Sequence, residues 1–68
     1  MKFEIRETIA KISQRNKWTL ELNKVSWNGA EPKLDLRAWS TDHEKMSKGI
    51  TLTTEEAAEL CRVLQKIL

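Results

Sequence analysis

Sixty-eight residues carry a net charge of +2, with 40% hydrophobic and 32% charged side chains. This reads as one small domain, residues 1–68, too apolar for a disordered chain. One Cys and one His exclude a disulfide framework and argue against a zinc site, so no metal or cofactor is expected.

Phe3, Ile5 and Ile9 alternate with Glu4, Arg6 and Thr8, which predicts a first strand over residues 3–12. The phase changes at Ala10 and Ile12, where a bulge or the strand end is expected. "SQRNKW" (13–18) follows as a polar loop. In the second strand, "WTLELNKVSWNG" (18–29), Trp18, Leu20 and Leu22 share one phase, and Val25 and Trp27 share the other. That pattern predicts a second bulge or bend across Asn23 and Lys24, and it assigns Trp18 to the core. Asn28-Gly29 tolerates positive φ, and Pro32 ends the pairing. The third strand, "KLDLRAWS" (33–40), alternates Leu34, Leu36 and Ala38 with Asp35, Arg37 and Trp39. Trp39 therefore belongs to the polar side, where water is expected. A polar loop, "TDHEKMSKG", leads to a short fourth strand with Ile50 and Leu52 in phase.

Thr53 as N-cap with Glu56 three residues on fits a capping box, and Glu55 and Glu56 suit the positive end of a helix. Ala57, Leu60, Cys61, Leu64, Ile67 and Leu68 then recur at helical spacing, widened by Val63, with Arg62 and Lys66 toward the C-terminus. The fold class is α+β: a four-stranded curved antiparallel sheet followed by one C-terminal helix, in the order β-β-β-β-α. A chain this short buries little surface alone and lacks a staple, so a homodimer is expected, with Leu60, Leu64 and Ile67 on its helix seam or core. One helix hides one face of such a sheet. The other face is solvated or works. Residues 1–52 hold ten Lys/Arg against seven Asp/Glu, and residues 53–68 two against three, so the sheet half carries the positive charge.

Arg15, Lys17, Lys24, Lys33, Arg37, Lys45 and Lys48 fall on loops and strand ends that a hairpin sheet brings to shared rims. Spaced cations of this kind suit phosphates, because counterion release supplies sequence-independent affinity. Trp27 and Trp39, near cations, can stack bases; Trp39 can equally pack at a dimer seam. His43 is read as a solvated loop residue and Cys61 as a small hydrophobe. No nucleophile elbow, phosphate loop or metal constellation is present, so nothing points to an enzyme or a small-molecule substrate. No apolar run spans a bilayer and no signal-peptide core is visible, so a cytoplasmic, nucleoid-associated location is expected.

"LDLRAWSTDHEKMSKGITLTTEEA" resembles the single-stranded-DNA-binding domain of the transcriptional positive cofactor four (coactivator p15) family. That family's "I-D-I-R-aromatic" strand and "K-G-I-S-L" segment are matched by Leu34-Asp35-Leu36-Arg37 and by Lys48-Gly49-Ile50-Thr51-Leu52. The short bacterial YdbC branch is closer, with "SWNG" at Ser26–Gly29, "DHEKM" at Asp42–Met46 and "KGITLT" at Lys48–Thr53. The resemblance implies a homodimer whose curved sheets bind single strands with little sequence preference. It matches Arg37 to the strand Arg, Lys48 to the Lys before Gly-Ile, Lys45 to a loop Lys and Trp27 to a base-stacking aromatic. Where animal-type relatives carry two consecutive aromatics after the Arg, this chain has Ala38-Trp39-Ser40. Two functions are thus expected to compete: a single-stranded nucleic-acid binder, with DNA and RNA both compatible, and a small protein-interaction module using an exposed Trp surface.

Overall fold

The computed structural model describes residues 2–68. Strands β1 (Phe3–Arg15), β2 (Trp18–Trp27), β3 (Lys33–Ser40) and β4 (Ile50–Leu52) precede a single helix, α1 (Thr54–Ile67). The strands form one antiparallel sheet in the order β1-β2-β3-β4, which is the expected architecture.

The β1 strand is longer than its alternation suggests. It continues through Arg15, and residues Asn16 and Lys17 alone turn the chain into β2, with Asn16 at φ 56, a region Asn tolerates better than most residues. The expected polar loop is therefore mostly strand. The β1–β2 register slips between Ile5 and Glu7, between Thr8 and Ala10, and between Lys11 and Ser13. The last two slips lie at the phase change read around Ala10 and Ile12. Each leaves an extra β1 residue opposite β2, which bends the strand and increases its twist. On an edge strand, such irregularities also discourage pairing with other chains.

The second expected bulge is absent. Pairing of β2 with β3 runs unbroken from Trp18↔Ser40 to Val25↔Lys33. The apparent phase switch arises because Glu21 and Asn23 lie on the same face as Val25 and Trp27, and are polar yet buried.

Cross-strand partners share a face of a sheet. One face pairs Leu22 with Leu36, Leu34 with Leu52 and Leu36 with Ile50. Helix α1 stands over it, leaving a groove of about 580 Å³ lined by residues that include Ile12, Leu22, Leu36, Leu60 and Leu64. The helix starts as expected: Thr53 Oγ1 accepts from the Glu56 N–H, and the Glu56 carboxylate accepts from the Thr53 N–H. No α1 residue is buried. Leu60 is 42% exposed, Leu64 40% and Ile67 71%. Trp18, expected in the core, is only half-buried.

The opposite face pairs Glu21 with Arg37, Asn23 with Asp35 and Thr19 with Trp39. It holds both buried hydrophobic residues of the described chain, Val25 and Trp39, together with Glu21, Asn23 and Asp35. The face expected to be wet is the buried centre of the protomer. The curl of the sheet explains it: Phe3 and Trp27, partners at one end of β1–β2, arch over β3 and reach Trp39 and Arg37.

The β2–β3 connection closes that arch. Asn28 (φ 52) and Gly29 (φ 79) both take positive φ, and the Ala30 N–H donates to the Trp27 carbonyl at 2.9 Å. This is the type I′ geometry that suits a twisted hairpin. The Lys2 N–H donates to Asn28 Oδ1 at 3.0 Å, which ties the start of the chain to the turn.

Candidate nucleic-acid interface

Asp35 and Arg37 are two apart on β3, so both project from the same face. Arg37 Nε donates to Asp35 Oδ1 at 2.6 Å and Nη2 to Oδ2 at 2.8 Å. This is the bidentate fork that favours arginine over lysine. The Asp35 side chain is wholly buried and that of Arg37 is 12% exposed. Thr51, opposite Asp35 on β4, donates its hydroxyl to Oδ2 at 2.9 Å. The guanidinium carbon lies 4.7 Å from the centre of the Trp27 ring, within cation–π range. Arg37 Nη1 also reaches the Ser47 carbonyl at 3.4 Å. Arg37 is thus pinned on three sides, by β3, by Trp27 and by the β3–β4 loop.

Gly49 lets the loop come this close. A Cβ at that position would overlap the Arg37 Cβ and the Leu36 carbonyl oxygen. The Lys48-Gly49-Ile50 segment therefore passes against β3 with no room for a side chain.

Trp39 is fully buried, not facing water. Its ring lies 5.2 Å from Phe3 and 5.7 Å from His43, centroid to centroid. Nε1 of Trp39 and Nε1 of Trp27 find no hydrogen-bond partner among the described residues. His43 is not a simple solvated residue either. Its Nε2 stands 3.1 and 3.0 Å from the two carboxylate oxygens of Glu21, which is itself 1% exposed. Asn23 Nδ2 donates to the same carboxylate at 3.1 Å. Glu21, Asn23 and His43 escaped the sequence reading: nothing local marks a loop His as the partner of a strand Glu twenty-two residues away. The Asp35–Arg37 pair did have a signal, in its i, i+2 spacing on one strand face.

The remaining expected cations are exposed and stand at separate places. Arg15 and Lys17 flank the β1–β2 turn. Lys45 and Lys48 lie in the β3–β4 loop at the same end of the sheet, because Arg15 pairs with Trp18 and Trp18 with Ser40. Lys24 and Lys33 stand together toward the other end, beside Thr53 and Glu55 at the start of α1. The loop tip is pinned by its own bonds: the Ser40 N–H donates to the Lys45 carbonyl at 2.9 Å, and Ser40 Oγ donates to Asp42 Oδ1 at 2.7 Å. The Glu44 N–H, and then the Ser40 hydroxyl, hold the Asp42 carboxyl below its ordinary value.

Residues 14–63 match the family described as Transcriptional Coactivator p15 (PC4). A protein of Treponema pallidum (strain Nichols), described as uncharacterized, is 50% identical over 52 residues, which cover 76% of this chain and 61% of that protein. The chain therefore spans less than two thirds of this bacterial relative's length, a match consistent with a YdbC-like member. The family match covers β2, β3, β4 and most of α1, and with them the whole Asp35–Arg37–Trp27 arrangement. The chain belongs to the p15 (PC4) coactivator family.

Proposed function

We propose that two copies of this chain bind single-stranded DNA with little sequence preference, in the cytoplasm and on the nucleoid, as a binding protein without catalysis. The observation that carries this reading is the family match across the sheet that holds Arg37 over Trp27. Exposed Arg15, Lys17, Lys24, Lys33, Lys45 and Lys48 meet phosphates. The stacked Arg37–Trp27 pair offers a flat, charged plate for a base, since guanidinium planes and indoles both stack on nucleobases. Trp39 joins it only once uncovered. Stacking and phosphate contact serve RNA as well.

The homodimer reading is supported by the uncovered apolar stripe of α1 and the groove beneath it. An apolar face of this kind costs stability in water and gains it against a second copy. The competing reading, a protein-interaction module built on exposed indoles, has less support: Trp39 is buried and Trp18 and Trp27 are half-buried.

Fluorescence anisotropy of a labelled single-stranded oligonucleotide across a salt series tests the proposal. Affinity should fall steeply and linearly on a log–log plot, with a slope of several units. A flat response, or no binding at low salt, would refute it.

A further inference from the structure

We infer that the His43–Glu21 contact is a latch: it keeps the tip of the β3–β4 loop closed over Trp39, and a nucleic-acid strand must release it to reach that ring. The inference rests on the proposal that Trp39 meets bases.

Several observations converge on the latch. Trp39 has no exposed surface, and His43 is the loop residue whose ring lies against it, 5.7 Å between centroids. His43 holds that position through both oxygens of a buried carboxylate, while its own side chain keeps 35% of its exposure, so solvent can reach the joint. Its backbone sits at φ 60, a conformation that non-glycine residues rarely adopt and that persists where surrounding contacts hold it. The closed state also leaves Trp39 Nε1 buried without a partner among the described residues. An unsatisfied donor disfavours closure, because opening gives that N–H water or a ligand acceptor. The contact with Glu21 favours closure. The two terms oppose each other, as the two states of a latch require.

Opening is also local. The strand end and the loop base are tied by the Ser40–Lys45 and Ser47–Ala38 hydrogen bonds. The His43 ring can leave without breaking β3. Release of His43 bares the loop side of the Trp39 ring, while Phe3, 5.2 Å away, keeps its own side covered; Arg37 lies on the same strand face two residues before it.

Two variants probe the latch from opposite sides. His43→Asn keeps a residue that tolerates positive φ but cannot reach Glu21. Glu21→Gln leaves residue 43 unchanged, removes the charge that holds its ring and leaves one acceptor oxygen where Glu21 has two. Both are read by exchange of the Trp39 indole proton in NMR without ligand, and by affinity for oligothymidylate. Each variant should speed indole exchange. Each should also tighten binding about three- to tenfold, the size of one ordinary hydrogen-bonded contact released from the closed state, with the salt slope unchanged. In the wild-type protein, saturating oligothymidylate should shift the Trp39 indole and His43 ring signals together. Folded variants with unchanged exchange, or with faster exchange and weaker binding, would overturn the latch. So would wild-type His43 and Trp39 signals that stay at their free positions in the bound state. Failure of the wild type to bind any oligonucleotide would instead remove the proposed function, and the exchange experiment would still decide whether His43 closes over Trp39.

Discussion

Arg37 lies over the ring of Trp27, 4.7 Å from guanidinium carbon to ring centre, while its other edge grips the buried carboxylate of Asp35. One side chain therefore joins β3 to the far end of β2. Arg37→Ala should be costly, because it strands Asp35 as a buried charge with only Thr51 beside it. Loss of one partner of a buried pair is worth about 3–5 kcal/mol, a large share of a small domain's stability. Arg37→Lys, which keeps the charge and loses the fork and the stack, should fall between. Urea denaturation measures both. A change below about 1 kcal/mol for Arg37→Ala would mean that the pair holds little.

Gly49→Ala should destabilise by about 1–3 kcal/mol, the usual range for overpacking a tight site. The added Cβ meets the Leu36 carbonyl oxygen and the Arg37 Cβ, neither of which is the movable end of a flexible side chain. Gly29→Ala is a different case: nothing lies within 4 Å of the added carbon, and the strain comes from φ 79 alone. Thermal melts of the two variants should separate steric overlap from backbone strain. Equal melting temperatures for wild type and Gly49→Ala would contradict the close passage of the loop.

Acid should loosen the β3–β4 loop through Asp42. The Glu44 N–H and the Ser40 hydroxyl hold its carboxyl below the ordinary 3.8. A depressed folded-state pKa contributes stability that is fully present above the unfolded value and is lost as pH falls through the folded one. The contribution should therefore be intact at neutral pH and fade only below about pH 4. NMR titration of the Asp42 carboxyl checks the direction. Asp42→Asn, which keeps an acceptor but no charge, should lose that share of the acid dependence. A midpoint above the ordinary value would contradict these contacts.

The helix stripe predicts assembly. Sedimentation equilibrium at micromolar concentration should give twice the protomer mass, and Leu64→Glu, placing a charge in the apolar groove, should yield monomer or unfolded chain. A wild-type monomer would remove the dimer from the account.

What the sequence disclosed was local in origin. The capping box of Thr53 and Glu56, the Asn28-Gly29 turn and the stripe of α1 each depend on residues within one turn or a few turns of one another, and each is present as read. The burial of Trp39 is not legible, because alternation along β3 assigns it a face but not what covers that face. Its cover comes from Phe3, thirty-six positions earlier in the chain, and from a loop that Glu21 draws inward. Likewise Glu21 and Asn23 read as a break in the β2 pattern, because their partners are each other and His43 of the distant β3–β4 loop. The sequence does not say which cations touch a strand, and their exposure at the two ends of the sheet supports several contact paths.

The most direct test compares single-stranded and duplex DNA of the same length at moderate salt. Duplex phosphates can meet the same lysines, but duplex bases are stacked on one another and closed to Trp27 and Trp39. The account predicts clearly tighter binding of the single strand, with the preference kept as salt rises, because stacking is insensitive to counterions and phosphate contact is not. Equal affinity for both forms across the salt series would contradict it and reduce the sheet to a generic cationic surface.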